Sequence, residues 1–400
     1  MRPLLLGYTV PDEVMAEITA IDPNPPVQTH KFAWALARSL RQGFGEVRLL
    51  STLPVQSYPL VRRLLFRRFA FRSQGVDGVA MGFVNLIVLK HLTRLLACLG
   101  FTRRIRGEWG TDVLFMHGVH SPFLLYGWLM SRLGVDVVPV LTDPPGVELA
   151  TDGRLARLLK RIDRRIVPLL LARASALVAL SPVWLELFPG VKKVLVFPGI
   201  LGRDWLYALA TVAPAPRVAD APVTVIYAGG VSAAYGMDRL LDAAARLPQV
   251  RFLIFGKGDY VPRITAGGPP NVEYGGFVDA RALASHLMAA DILINPRPSG
   301  QEFARYSFPS KLIEYVATGR PVLTTRLVSI PAEIVPCFHY IDDESGEGVA
   351  RAIETLVALG TEERLARAGA AREIIMRECS EAAIGRKLAA LCGAVPPADE

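Results

Sequence analysis

Tyr306-Ser-Phe-Pro-Ser-Lys-Leu-Ile-Glu-Tyr-Val-Ala-Thr-Gly-Arg-Pro-Val322 is the stretch on which the reading of this chain turns. Pro309 suits the first position of a helix and Gly319 the C′ position beyond its end, so the text predicts a short helix over Pro309–Thr318. Ser307 and Ser310 put hydroxyls beside the free N–H groups of the first turn. Lys311 adds positive charge at the end where the helix dipole already favours anions. One turn on, Glu314 stands alone among Leu312, Ile313, Tyr315 and Val316. A phosphate at the helix start and a pair of sugar hydroxyls at the carboxylate satisfy both features. An ordinary capped helix whose Lys311 and Glu314 face water accounts for the same letters, so the surrounding sequence has to decide.

Outward from this stretch, strand-like and helix-like runs alternate. Val223–Tyr227, a helix Gly236–Leu247, Val250–Phe255, a helix Ala280–Ala289, Asp291–Asn295 and Pro321–Thr325 make one series. The first half reads Leu4–Tyr8, a helix from about Thr29 to Arg41, Glu46–Leu50, Asp112–Met116, a helix near Phe123–Leu133, and Val135–Leu141. A basic helix Leu155–Ala172 leads to Ala176–Leu180 and Lys193–Phe197. Such alternation predicts an α/β protein with parallel sheets and helices on both faces. Four hundred residues exceed one ordinary core. The Pro/Ala-rich run Thr211–Pro222 reads as a linker between two Rossmann-like domains, residues 1–205 and 206–379, facing each other across a cleft. A last helical run, about 380–394, either returns to the first domain or decorates the surface.

Ligands of such sheets bind outside the carboxyl ends of the strands. Four loops expected there carry Gly, Pro or a basic residue: Tyr227-Ala-Gly-Gly230, Phe255-Gly-Lys-Gly-Asp259, Tyr274-Gly-Gly-Phe-Val278 and Asn295-Pro-Arg-Pro298. Glycines let a ligand approach the backbone, and Lys257, Arg297 and Lys311 supply positive charge. One Gly-x-Gly says little. Four such loops on one expected edge, beside the capped helix, point to a phosphate-bearing ligand.

Bulk composition narrows the setting. The chain is 51% hydrophobic with a mean hydropathy of +0.32, yet no apolar run reaches the roughly 18–20 residues that span a bilayer. The nearest, Phe83–Phe101, is broken by Lys90, His91 and Arg94. The opening Met-Arg-Pro enters a strand-like run at once, so no secretory signal is expected. Cys98, Cys337, Cys379 and Cys392 form no Cys-x-x-Cys pair, which argues against a disulfide framework or a structural zinc site. Charge is uneven: residues 1–200 hold 25 Lys and Arg against 14 Asp and Glu, the rest 20 against 23. The excess lies in Arg62, Arg63, Arg67, Arg68 and Arg72, in Arg103, Arg104 and Arg106, and in Arg154, Arg157, Lys160, Arg161, Arg164 and Arg165. Arginines alternating with Leu, Phe, Ile and Val fit the anionic surface of a membrane; a merely solvated basic face is the other reading. No nucleic-acid-binding pattern accompanies them, so nucleic acid is not expected as a partner.

Val223–Thr325 resembles the retaining glycosyltransferases of family 4, of GT-B architecture, and the likeness continues more weakly across residues 1–200. Its carriers are Ala-Asp-Ile-Leu-Ile-Asn-Pro (Ala290–Pro296) and Phe-Pro-Ser-Lys-Leu-Ile-Glu-Tyr followed by Gly-Arg-Pro-Val (Phe308–Val322). The resemblance implies that Glu314 holds the donor ribose, that the Phe277–Val278 backbone pairs with the base, and that Ser310, Lys311, Gly229, Gly230 and Gly256 surround the diphosphate. Two positions depart from the family text: Tyr306 stands where a glutamate is usual, and Tyr235-Gly236 where Lys-Gly is usual. That leaves phosphate charge to Lys257, Arg297 and Lys311, and fits a surface-polysaccharide branch.

In the first half, Met116-His-Gly-Val-His120 follows a strand-like run. His117 resembles the family histidine beside the transferred sugar, with His120 the alternative. Asp143, in Thr142-Asp-Pro-Pro-Gly146, is a third catalytic candidate, although those letters also make a turn unaided. Gln28 and His30 enter the first helix and border either an acceptor or only their own helix. The expectation is transfer of a sugar, with retention, from a UDP- or GDP-sugar to a saccharide or lipid-linked acceptor. No cofactor is implied, and no metal, since the sequence lacks Asp-x-Asp. Cytoplasmic placement, peripheral on the inner face of the membrane, follows from the same resemblance and charge. A non-catalytic nucleotide- or lipid-binding subunit and a nucleotide-sugar epimerase are the alternatives.

Overall fold

The computed structural model describes residues 1–142, 153–188, 190–191, 193–213 and 221–396, apart from the side chains of residues 156, 187, 302 and 303. It divides into two compact units. Unit 1 comprises Met1–Ile200 with Glu381–Glu400, and unit 2 comprises Leu201–Ser380.

Unit 1 contains strands β1 (Pro3–Gly7), β2 (Arg48–Ser51), β3 (Leu65–Phe66), β4 (Phe69–Ser73), β5 (Val76–Ala80), β6 (Phe83–Val84), β7 (Val113–His117), β8 (Asp136–Leu141), β9 (Leu177–Ala179) and β10 (Val194–Val196). Eight of them order as β10-β9-β8-β7-β1-β2-β5-β4, while β3 and β6 pair apart. The sheet is parallel from β10 to β5, and only β4 joins antiparallel. The arginine-rich stretch, expected to interrupt the α/β pattern, forms short antiparallel strands followed by a long helix, Ile87–Arg106. Chain order reverses between β1 and β7, which leaves a crevice outside their carboxyl ends. Helix Val27–Phe44 and the C-terminal helix Glu381–Leu391 pack on the same hydrophobic cluster as Leu5, Leu49, Phe115 and Val138. They approach closely because both are glycine-bearing there. A Cβ on Gly43 would stand 2.1 Å from the Gly385 carbonyl oxygen. Buried Arg38 and Glu381 pair across this contact at 2.8 Å.

Unit 2 is a six-stranded parallel sheet, ordered β13-β12-β11-β14-β15-β16. These strands are β11 (Thr224–Gly230), β12 (Arg251–Lys257), β13 (Val272–Gly276), β14 (Ile292–Asn295), β15 (Val322–Thr325) and β16 (His339–Ile341). Strand alternation sends Ile226 and Ala228 to one core, shared with Trp205 and Leu312. Val225 and Tyr227 go to the other face, against Leu240 and Ile353. The order reverses between β11 and β14. The Pro/Ala run lies inside this unit, after helix Arg203–Thr211; the chain passes between units at Ile200–Leu201 and Ser380–Glu381.

Candidate functional site

The unit 2 crevice is built on glycines that nothing larger can replace. Register pairs Gly229 with Gly256 and Gly230 with Lys257 at the ends of β11 and β12. Gly256 holds a φ of +135°, and a Cβ there would stand 1.8 Å from the Gly229 carbonyl oxygen. Gly236, at φ +86°, would bring a Cβ 2.0 Å from the Pro296 carbonyl oxygen. Backbone therefore meets backbone on both sides of β11, and the loops hug the sheet edge.

Two cations enter this edge. Lys311 opens the helix Lys311–Ala317, and its ammonium lies 3.8 Å from the centroid of the Tyr227 ring and 6.0 Å from that of Tyr315. Tyr227 is pinned by its hydroxyl donating to the Gly230 carbonyl at 2.7 Å. The Tyr315 hydroxyl donates to the Ala228 carbonyl at 2.8 Å and accepts from the Ala228 N–H at 2.6 Å. The ammonium thus sits against fixed aromatic faces beside Gly229, and among the described residues no carboxylate lies within ion-pair distance of it. Burial first, then the Arg297 guanidinium, hold its pKa well below the ordinary lysine value. Arg297, 7% exposed, follows β14; it donates to the Ser307 carbonyl at 3.3 Å and lies 5.3 Å from the Tyr235 ring centroid. Burial lowers its pKa too, opposed by the Tyr235 and Tyr227 hydroxyls. Tyr235, the departure from family text, is therefore the shelf on which Arg297 lies.

The helix start differs from expectation. Pro309 is not its first residue: the Leu312 N–H bonds the Pro309 carbonyl as a tight turn, and regular helix begins at Lys311. Ser310 already has helical angles (φ −51°, ψ −29°), so its exposed hydroxyl caps nothing. Gly319 is left-handed at φ +72°, as a C′ glycine should be. Glu314 is half-buried on this helix, and its carbonyl accepts the Trp205 indole N–H at 3.0 Å, which fixes that turn. Lys257 is exposed, with its ammonium 4.1 Å from the centroid of Phe277, itself 68% exposed at the end of β13; Val278 packs inward on the core.

In unit 1, His117 ends β7 at the crevice beside β1. A Cβ on Gly7 would stand 2.8 Å from its carbonyl oxygen. The imidazole is 2% exposed, 5.1 Å from Phe32 and 6.2 Å from Tyr8 between ring centroids, with Nδ1 buried and unbonded among the described residues. Burial drops its pKa to about 4, so it is neutral near pH 7. His120 precedes helix Ser121–Arg132 and donates from Nδ1 to the Gly118 carbonyl at 2.8 Å. His30 is buried and bonded through Nε2 to Asp12 at 2.8 Å, an anchor for its own helix, whereas Gln28 is exposed. Asp143 lies outside the described residues.

A second surface of unit 1 was only partly foreseen from the sequence. Helix Ile87–Arg106 is inverted: Val88, Leu89, Leu92, Leu96 and Leu99 are exposed while Lys90 and Arg94 are buried. The strongly amphipathic helix Arg154–Leu171 also exposes Leu155, Leu158, Ile162 and Leu169. Among the described residues no helix is long and apolar enough to cross a membrane.

Comparison with known proteins agrees with this architecture. Residues 222–358 match the family described as "Glycosyl transferases group 1". A "GDP-mannose-dependent alpha-(1-6)-phosphatidylinositol dimannoside mannosyltransferase" of Mycobacterium tuberculosis, in strains H37Ra and CDC 1551, is 27% identical over 143 residues. That segment is 34% of this chain and only 36% of the relative. Among solved structures, sucrose-phosphate synthase of Thermosynechococcus elongatus has a TM-score of 0.62 at 16% identity, covering 98% of both chains. Anabaena Alr3699/HepE in complex with UDP gives 0.59 at 15%, covering 98% of this chain and 100% of that one. A glycosyltransferase from Rickettsia africae ESF-5 gives 0.61 at 15%, over 98% and 97%. The chain has the GT-B fold, and its residues 222–358 are similar to the group 1 glycosyl transferases.

Proposed function

We propose that this protein is a retaining glycosyltransferase that moves a sugar from a nucleoside-diphosphate sugar to a saccharide or lipid-linked acceptor in polysaccharide or glycolipid assembly. The observation that carries the reading is the unit 2 crevice, where Lys311, with no ion-paired carboxylate among the described residues, and buried Arg297 meet a backbone edge of Gly229, Gly230 and Gly256. A diphosphate gives Lys311 a counter-charge, and fixed N–H groups and cations aimed at a departing diphosphate stabilise the transition state by preorganisation. Glu314 is assigned to the ribose hydroxyls, the Phe277–Val278 backbone to the base, Ser310 and Lys257 to the diphosphate rim. Retention without a carboxylate nucleophile is assigned to a front-face reaction in which the leaving phosphate accepts the acceptor's proton, and neutral His117 is the first catalytic candidate. His120 and Asp143 are secondary candidates, as are Gln28 and His30 on the acceptor side. The reading is metal-independent.

The relatives named above include a UDP complex and a GDP-mannose-dependent enzyme, so UDP- and GDP-sugars are the donors to test. The inverted leucine face of helix Ile87–Arg106, with the arginine-flanked apolar face of helix Arg154–Leu171, favours an anionic membrane surface as partner. It supports placement as a peripheral protein on the cytoplasmic face.

Isothermal titration with UDP, GDP, ADP and their sugars, on wild type and Glu314→Ala, tests the donor site. Binding of one nucleotide, weakened in the variant, is expected. NMR of the product's anomeric configuration and activity in EDTA then test retention and metal independence. No binding and no donor turnover with any of these sinks the enzyme reading and favours a non-catalytic subunit.

A further inference from the structure

The inward face of helix Ile87–Arg106 holds two cations one turn apart, and neither is ion-paired among the described residues. Lys90 and Arg94 are 5% and 4% exposed. Lys90 donates to the Val55 carbonyl and, at 3.4 Å, to the Ser57 hydroxyl; Arg94 donates from Nη2 to the Leu53 carbonyl at 2.7 Å. All these acceptors are neutral. The Arg94 guanidinium lies 4.3 Å from the Phe83 ring centroid and 5.9 Å from that of Tyr8, and its buried Nε has no partner among the described residues. Asp22, whose charge favours protonated Lys90, lies beyond ion-pair distance and already accepts from the Asn24 and Gln56 amides.

Two imidazoles complete the cluster. His91 and His120 have ring centroids 5.6 Å apart. His120 spends Nδ1–H on the Gly118 carbonyl, which leaves its buried Nε2 without a partner among the described residues, as is Nδ1 of His91. Asp163, the carboxylate acting on His91, takes the Ser121 amide and hydroxyl. Burial, together with the mutual repulsion of these groups, lowers Lys90 to about 7, His91 to about 4 and His120 to about 3. Both imidazoles are only half-buried as residues.

Desolvated cations with neutral acceptors, beside buried nitrogens that lack any bond, are costly unless an anion completes them. A tetrahedral oxyanion has the charge for Lys90 and Arg94 and an acceptor for Arg94 Nε–H, and its charge favours protonation of the otherwise neutral imidazoles, which then donate to it. We propose that Lys90, His91, Arg94 and His120 form a binding site for a phosphate group borne by the acceptor. The site stands on unit 1 alone; its assignment to the acceptor rests on the transferase reading. A bland role also exists, in which Lys90 and Arg94 merely tie down the carbonyls of residues 53–57.

The test uses the full chain carrying Lys311→Ala, which removes the main cation of the unit 2 site. Inorganic phosphate is titrated at constant ionic strength against chloride, with Tm as readout. Phosphate is expected to raise Tm, Arg94→Gln to weaken its apparent affinity about tenfold or more, and His91→Gln about threefold. His91 makes no hydrogen bond among the described residues, so His91→Gln keeps the test open should circular dichroism show the Arg94 variant unfolded. No phosphate effect, or one indifferent to both substitutions, overturns the proposal and leaves the carbonyl-tying role. Glucose 6-phosphate and dodecyl phosphate micelles then separate a sugar phosphate from a lipid phosphate by which gives the larger His91-dependent shift. Phosphate bound here while wild type binds no nucleotide leaves this site standing and removes its link to transfer; nucleotide binding without a His91-dependent phosphate effect does the reverse.

Discussion

Lys311→Met separates a cation kept for a ligand from one kept for the fold, because the two roles give opposite signs. The ammonium lies against Tyr227 and Tyr315 without an ion-paired carboxylate among the described residues, and burial has pushed its pKa well below the ordinary value. Leaving an ammonium desolvated without a charged partner costs about 4 kcal/mol when burial is complete. The side chain is only half-buried, so solvent screening halves this to about 2 kcal/mol. Methionine has similar volume, no charge, and a sulfur suited to aromatic neighbours. The ligand-free variant is therefore expected to melt about 4–8 °C higher at pH 7.5. The gain must shrink toward alkaline pH. Between the lowered folded pKa and the ordinary one, the unfolded chain binds the extra proton, so wild-type stability rises with pH through that window and the variant's does not. Nucleotide affinity should move the other way, falling about 10- to 100-fold with the loss of a charge-assisted contact. Differential scanning calorimetry across pH and titration calorimetry with the preferred nucleotide read both quantities. A variant that melts lower and binds nucleotide as wild type does would refute the reasoning, and Lys311 would then be structural.

Other expectations follow from the same geometry. Gly256→Ala should lose about 2–4 kcal/mol in denaturant titration and with it nucleotide binding, because its Cβ meets the Gly229 carbonyl at φ +135°. His117, with a folded pKa of about 4, binds its proton in the unfolded chain first, so stability should fall as pH drops from about 6.5 to 4; His117→Gln should flatten that limb by up to about 3 kcal/mol. Arg38→Met should cost about 3–5 kcal/mol by stranding buried Glu381, while Arg38→Met with Glu381→Leu should recover most of it, as chemical denaturation of both will show. Leu92→Asp with Leu96→Asp should abolish co-sedimentation with phosphatidylglycerol vesicles at unchanged Tm, and undiminished sedimentation would remove the leucine face from the membrane reading.

Sequence alone determined the features set by local rules. Alternating strand and helix periods gave the α/β class, because side-chain direction along a strand or helix depends only on nearby residues. Helix Ala280–Ala289 was legible to the residue, since Asp279 accepts from the Arg281 and Ala282 amides at 2.9 Å and marks its start. Gly319 was legible as a C′ residue, and Lys311, Arg297 and the loop glycines as one edge, because parallel strands put their carboxyl ends together. Tertiary structure decided what depends on partners far along the chain. Nothing near Gly256 in sequence tells that Gly229 leaves it no room, and nothing near Tyr235 tells that it supports Arg297. Pro309 and Ser310 read as a helix start, yet the turn closed by the Leu312 N–H moved that start to Lys311. The C-terminal helix found its place through Gly43, Gly385 and the Arg38–Glu381 pair, more than 300 residues apart in the chain. Helix Ile87–Arg106 is the plainest case. Its charges only break an apolar run in the sequence, but loop carbonyls of residues 53 and 55 take Lys90 and Arg94 inward and leave the leucines outside. Hydropathy ranks residues by their cost in a generic interior, whereas a folded chain supplies a specific one.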